Sequence, residues 1–400
     1  MLLIIDKSLV NQVIAGNDHA KARFFDLLIA VRDGIHLIRI DVDDVQTLLS
    51  QIQWEDFWER ILTSYLQQAY QLVSPLPGII EGRLIYWYEK QSPDEDIDRL
   101  RQGVPLKDMN LCIYQNFKFY YTVQLWGEGS DDCAFFKKIG DAYKDRKNNS
   151  VEIRLKSNPG GGVTVGTNIR EASESKQDMH LAVCDSDKHY DDGKLGVNNY
   201  LHPSEEEKRL LGSTALTLLD EYAQMDPLLV GIYIYKFTSE LENLIPWNII
   251  SKIHNDIFSP DKYKDFDKSY FDIKKGMKVK ELKESPELLA YWHPIFLADE
   301  KLKPEVEKIL KRYDDLKSVF DSEINTTKKK AAELKFKNYQ NTEILKGKRI
   351  LKAIRNSHEE FESLGNKEIY QFLTPNQISE WDNIGALILT YGAAGTPFLN

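Results

Sequence analysis

Between residues 119 and 260 short apolar runs alternate with amphipathic stretches, and this rhythm restricts the fold more than any other feature. Tyr121–Trp126, Val151–Leu155, Leu181–Cys184 and Leu229–Tyr235 read as strands. Helical patterns separate them at about Asp131–Tyr143, from the flexible Ser157–Gly162 stretch to about Lys176, and at about Ser204–Gln224. Strands that alternate with helices need crossover connections, which build a parallel sheet. On the N-terminal side, MLLIID and His36–Ile40 read as strands and Lys7–Val31 as a helix. A long amphipathic run from Val42 to Val73 stops at Ser74-Pro-Leu-Pro-Gly78, Gly82–Tyr88 reads as a strand or a short buried helix, and Ser92–Arg101 as a solvent loop or helix start. Beyond Ser259 the pattern is helical and charged until an apolar piece, Ile384–Tyr391. The expected architecture is α/β, with an N-terminal α/β domain over 1–118, a central parallel-sheet domain over 119–258 and a mainly helical, basic domain over 259–400.

All strands of a parallel sheet open their carboxyl ends on one edge, and ligand sites form in that crevice. The first central strand here ends at Glu128, with Asp131 and Asp132 opening the next helix. The third ends at Asp185-Ser-Asp187, and the fourth runs into Ser239-Glu-Leu-Glu242. Two unit charges about 4 Å apart repel by roughly 4 kcal/mol at an effective dielectric of 20. A cluster of this kind calls for a cation, and an all-oxygen donor set selects Mg²⁺ or Mn²⁺.

Leu125-Trp-Gly-Glu-Gly-Ser-Asp-Asp-Cys-Ala-Phe-Phe136 resembles the opening of the Toprim domain of overcoming-lysogenization-defect (OLD) type nucleases, although Trp126-Gly127 replaces the usual small apolar residue before the Glu. Leu181-Ala-Val-Cys-Asp-Ser-Asp187 resembles the second Toprim signature, and Glu240-Leu-Glu-Asn243 a third, found in related defence-associated proteins. The resemblance covers residues 119–255, with Asp185 standing 57 positions after Glu128. It implies a metal-dependent nuclease of DNA or RNA with two Mg²⁺ or Mn²⁺ ions, the effector of a bacterial anti-phage defence system. Glu128 is then the general acid/base or a metal ligand, Asp132, Asp185 and Asp187 are ligands, and Glu242 is a further ligand in preference to Glu240. Asp132 fits the family spacing better than Asp131. Because OLD-like nucleases often depend on an ATPase and this chain has no nucleotide-binding motif, the resemblance also implies an ATPase partner in trans. Lys252 lies beyond the Glu tract as a candidate phosphate contact, against a plain surface role. The polar stretch His189–Gly196 reads as a substrate loop, with His189, Asp191 and Asp192 as secondary metal candidates.

Charge is distributed unevenly. The whole chain carries a formal −10, yet Lys301–Arg355 holds 16 Lys/Arg against 8 Asp/Glu, a local +8. Lys328, Lys329, Lys330 and Lys335 form its densest part, on an amphipathic helix suited to lie along a phosphate backbone or to be a solvated face. A uniformly basic nucleic-acid coat is excluded. Three cysteines without a CxxC pair exclude a structural zinc site and fit a reducing cytoplasm. The N-terminus lacks a signal-peptide pattern, and no run of 18 apolar residues suggests a membrane span.

Other motifs are weaker. Gly161-x4-Gly166 is followed by Thr167-Asn168 and lacks the Lys of a Walker A loop. Asp185-x-Asp187 also resembles haloacid-dehalogenase phosphatases, in which Glu128 and Asp132 would have no role. MLLIID followed by Asp41, Asp43 and Asp44 resembles PIN-type ribonucleases, against a buried strand with a helix-capping Asp. Twenty tyrosines stand in no strand-passage constellation. A catalytically silent Toprim-like module that regulates an ATPase is the alternative from a different functional class.

Overall fold

A computed structural model describes residues 1–69, 76–87, 100–101, 104–187, 211–253, 276–285, 289, 292, 296, 303–346 and 351–397. It is α/β, as the alternation requires. Strands β1 (Leu2–Ile5), β2 (Leu37–Arg39), β3 (Gly82–Tyr86), β4 (Leu100–Arg101) and β5 (Val104–Asn110) form an N-terminal sheet in the order β2-β1-β3-β5-β4. All pairings in it are parallel except β4 with β5. Because β1 is buried along its whole length, it reads as an unbroken apolar run and not as an alternation. The helix expected over Lys7–Val31 is two helices, α1 (Lys7–Ile14) and α2 (Asp18–Asp33). Gly16 takes a left-handed φ of +79° between them, and Asn17 caps α2 by accepting from the His19 and Ala20 amides. The run expected over Val42–Val73 likewise divides into α3 (Val42–Gln51) and α4 (Asp56–Ala69), and residues 70–73 lie outside the described residues.

The central sheet contains β6 (Gln124–Gly127), β8 (Lys156–Pro159), β9 (His180–Cys184) and β10 (Val230–Ile234), all parallel, in the order β10-β9-β6-β8. One strand differs from expectation. Val151–Leu155 is not the second parallel strand; its middle, β7 (Glu152–Ile153), pairs antiparallel with β13 (Ala393–Ala394). The parallel strand is the polar stretch read as flexible, and the reason is its place at the sheet edge. An edge strand faces solvent, needs no apolar side chains and tolerates a terminal proline.

Helix α5 (Ser130–Arg146) follows β6, α6 (Val165–Ser173) follows β8, and α7 (Ser213–Tyr222) precedes β10. Residues 204–210 of the expected helix before β10 lie outside the described residues. Right-handed crossovers place α5 on one face and α6 and α7 on the other, consistent with the packing of α6 on α7. Further along come α8 (Trp247–Ile253), β11 (Gly276–Lys278), α9 (Val279–Glu284), α10 (Lys303–Ser322), α11 (Thr326–Gln340), β12 (Glu343–Lys346), α12 (Leu351–Asn356), α13 (His358–Ser363) and α14 (Pro375–Gly392). Helices α10 and α11 form a hairpin with its own small core of Val279, Tyr313 and Phe336.

Helix α14 returns to the central sheet and packs along α5. Two glycines permit the close crossing. A Cβ on Gly140 would sit 2.2 Å from Cγ2 of Ile388, and one on Gly385 would sit 2.4 Å from Cβ of Tyr143. Buried Arg83 connects the N-terminal sheet to the same region: its Nε donates to the Leu228 carbonyl at 3.0 Å, and its Nη1 pairs with Glu81. In an ordinary helix Gly→Ala gains about 1 kcal/mol. At this crossing overpacking should reverse the sign, so that Gly140→Ala and Gly385→Ala each cost about 1–3 kcal/mol in urea unfolding. A raised midpoint in either variant would mean that the two helices are further apart than this.

Candidate functional site

The order of the central sheet locates a crevice. From β6 the chain moves outward to β8; from β9 it moves the other way, to β10. The neighbouring strands β6 and β9 therefore send their connections to opposite sides, leaving a gap above their carboxyl ends, where ligands bind in open α/β sheets. Glu128 follows β6 and Asp185 follows β9, so both stand at this switch point. Register places them within a residue of each other along the strands, since Trp126 pairs with Ala182.

Several groups report the same convergence electrostatically. Burial pushes the Cys184 thiol well above its usual pKa, and Glu128, Asp185 and Asp187 push it further. Burial also raises the Tyr235 hydroxyl, with Asp185 and Asp132 adding to the shift. The Cys133 thiol is raised to about 11, first by burial and then by Asp132. Asp185 is buried, and Asp187 adopts a left-handed φ of +53°, a strained conformation for a residue with a side chain. Its carboxylate occupies the space over Gly212, where a Cβ would lie 2.0 Å from Oδ2.

Asp132 has a second role. Its Oδ2 accepts the Gly129 amide at 2.8 Å, closing the first turn of α5. Neighbouring Asp131 pairs with Arg355 at the end of α12, which brings one residue of the basic tract to this edge. The glycine loop is fastened here too: the Gly160 amide donates to Gly127 at 2.7 Å and the Gly161 amide to Glu128 at 3.1 Å.

Glu240 and Glu242 are both buried, Glu240 at the N-cap of a 3₁₀ turn over Leu241–Leu244 and Glu242 within it. The segment leading to them is hydrogen-bonded to the Asp-x-Asp turn. The Ser186 and Asp187 amides donate to the Ser239 carbonyl at 3.0 and 3.1 Å, and Ser186 Oγ donates to Thr238 at 3.0 Å. Backbone hydrogen bonds thus couple the Asp185–Asp187 turn to the stretch carrying Glu240 and Glu242.

The donor chemistry suits a hard cation, with carboxylates carried in on strand ends. Among the described residues, however, no three His, Cys, Asp or Glu side chains stand as a ready cage. Asp132 already accepts the Gly129 amide through Oδ2, and the Asp187 carboxylate lies against Gly212. Lys328, Lys329, Lys330 and Lys335 are exposed on α11, on the hairpin with its separate core. Lys252 is exposed on α8. His189, Asp191 and Asp192 lie outside the described residues. Asp6 and Asp41 cap α1 and α3 through the Ser8 and Asp43 amides, the roles set against a PIN-type site.

Sequence reasoning placed helix and an apolar piece over α14 but missed its role at this edge. Gln377, Glu380 and Trp381 lie on one face of it, and all three are buried. Glu380 accepts the Lys236 and Thr238 amides at 2.9 Å each, together with the Phe237 amide and the Tyr233 hydroxyl. Gln377 Nε2 donates to Asn243 at 2.6 Å, and Trp381 Nε1 to Leu244 at 3.0 Å. A Gln, a Glu and a Trp at helical spacing, just before the apolar second half of the helix, were the available signal. Comparison of the chain with protein-family models, curated proteins and solved structures gave no match.

Burial raises the Glu380 carboxyl from 4.5 to about 7 against the pull of its donors. Between those values the folded chain binds more protons at this group than the unfolded chain. Its contribution to stability is therefore complete below pH 4.5 and is lost as pH climbs to 7. At 1.36 kcal/mol per pKa unit the loss is about 3 kcal/mol. The difference in urea midpoint between the wild type and Glu380→Gln should therefore shift against the wild type as pH rises across this window. Parallel profiles would contradict the assignment.

Proposed function

We propose that this chain is a divalent-metal-dependent nuclease that hydrolyses phosphodiester bonds of DNA or RNA at the carboxyl edge of the central sheet. The observation that supports it most is the placement of Glu128 and Asp185 directly after the two strands that flank the switch point. In this reading Glu128, Asp132, Asp185, Asp187 and Glu242 would hold Mg²⁺ or Mn²⁺. When bound, such ions lower the pKa of water and offset charge on the leaving oxygen. The protein's own contribution is positional. The β6–β9 pairing fixes Glu128 against Asp185, and Ser186 fastens the aspartate turn to the segment before Glu240. Glu128 is partly exposed, so it can reach a substrate oxygen and take or return a proton there. From the resemblance come the wider parts of the proposal: an effector role in anti-phage defence, and an ATPase partner acting in trans.

The exposed lysines of α11 form a surface for a phosphate backbone, and Arg355 extends positive charge to the acidic edge. The alternative, a catalytically silent module, is favoured by one observation, the engagement of Asp132 with the Gly129 amide.

Plasmid DNA and total tRNA, each incubated with Mg²⁺, Mn²⁺ or EDTA, distinguish these readings. Metal-dependent cutting is expected, and loss of an acid/base group should slow it by about 10²–10⁴-fold in Glu128→Ala. Cutting that persists in EDTA, or unchanged in the variant, would refute this site. No cutting by the wild type, alone or with a candidate ATPase partner, would favour the silent module.

Reversing Lys328, Lys329 and Lys330 to Glu should weaken nucleic-acid binding. It should also flatten the plot of log affinity against log salt by about 0.9 for each phosphate that is no longer neutralised. An unchanged slope would make this helix a solvated face only.

A further inference from the structure

We infer that Glu380 is a positioning residue for the acidic edge, holding the strand-end carboxylates in register from a helix about 140 residues away in sequence. The inference rests on the metal-site reading above. After β10 the chain presents three successive amides, of Lys236, Phe237 and Thr238, to one carboxylate oxygen. Amides converging in this way form an anion-binding concavity, and Glu380 Oε2 fills it, with the Thr238 hydroxyl adding a contact at 3.3 Å. The other carboxylate oxygen takes the Tyr233 hydroxyl. The group is completely buried, so water cannot replace a missing acceptor.

The same segment is held from its opposite side. While its amides point to Glu380, the Thr238 and Ser239 carbonyls accept from Ser186 and Asp187. Residues 236–239 therefore form a clip between α14 and the Asp185–Asp187 turn. The helix also holds the next stretch of chain, through Gln377 to Asn243 and Ile245 and through Trp381 to Leu244. Asn243 in turn accepts the Glu240 amide at 2.7 Å. One face of α14 thus grips the chain on both sides of Glu240 and Glu242.

Groups outside the ligand shell that orient it commonly change metal affinity by about 10–100-fold when removed. Glu380→Gln keeps the shape and one carbonyl acceptor, but it removes the charge and replaces the other carboxylate oxygen with a donor, so the three amides and the Tyr233 hydroxyl can no longer all find an acceptor. Mn²⁺ binding to the full chain, followed by electron paramagnetic resonance, should weaken by at least about 10-fold in this variant. Hydrogen exchange at the Ser186 and Asp187 amides should accelerate with it. Ile384→Val, a core change on the same helix, supplies a control that lowers the melting temperature without moving Mn²⁺ affinity. If Glu380→Gln does not fold, Gln377→Ala tests the second grip, with weaker Mn²⁺ binding expected. Wild-type affinity in a folded Glu380→Gln or Gln377→Ala variant would overturn the positioning role and leave the metal site standing. A wild-type chain that binds no Mn²⁺ would remove both.

Discussion

A single buried carboxylate determines how the carboxyl edge of the central sheet is arranged. Backbone amides left unpaired in a protein interior cost more than a typical hydrogen bond contributes. The turn leaving β10 points three of them inward, and Glu380 is the acceptor that satisfies them. The turn can then offer its carbonyls to Ser186 and Asp187, and the aspartate turn keeps its strained φ because the surroundings over-determine it. Without that acceptor the loop would have to refold, and the acidic residues on either side of it would lose their common frame.

This dependence explains why the C-terminal helix is built as it is. To deliver Gln377, Glu380 and Trp381 to the loop, α14 must approach α5 closely, and glycines at 140 and 385 make room for Ile388 and Tyr143. The chain continues past the helix into β13, which pairs with β7 beside the central unit. Helix α14 is therefore part of the central sheet's packing, although its sequence belongs to the stretch that reads as a separate helical domain. The α10–α11 hairpin, with its own apolar cluster and exposed lysines, matches that expectation of a helical, basic unit more closely.

The legible parts of the sequence were those in which local pattern and burial coincide. The strand Leu181–Cys184 is apolar because both faces of β9 are covered, and Asp185 stands out as the first residue beyond it. Lys156–Pro159 was illegible for the opposite reason: an edge strand is defined by its partner, β6, and not by its own apolarity. The breaks at Gly16 and between α3 and α4 were visible only as small interruptions in an amphipathic run. At the site, Glu128, Asp185 and Asp187 were readable as acidic groups at strand ends. What could not be read was their support. Glu380 reaches the loop through tertiary contact alone, and no local spacing connects position 380 with 236. Nor could the sequence show that Asp132 closes the first turn of α5 or that Arg355 engages Asp131.

The central claim is that the carboxyl edge between β6 and β9 is a metal site framed from behind by α14. Its most direct test is a crystal of the full chain soaked in Mn²⁺ and measured for anomalous scattering. The account predicts a peak at the switch point, with carboxylate oxygens of Glu128 and Asp185 at about 2.0–2.6 Å, and Glu380 still seated on residues 236–238. An ordered edge with no peak, or a peak only on surface carboxylates elsewhere, would contradict it.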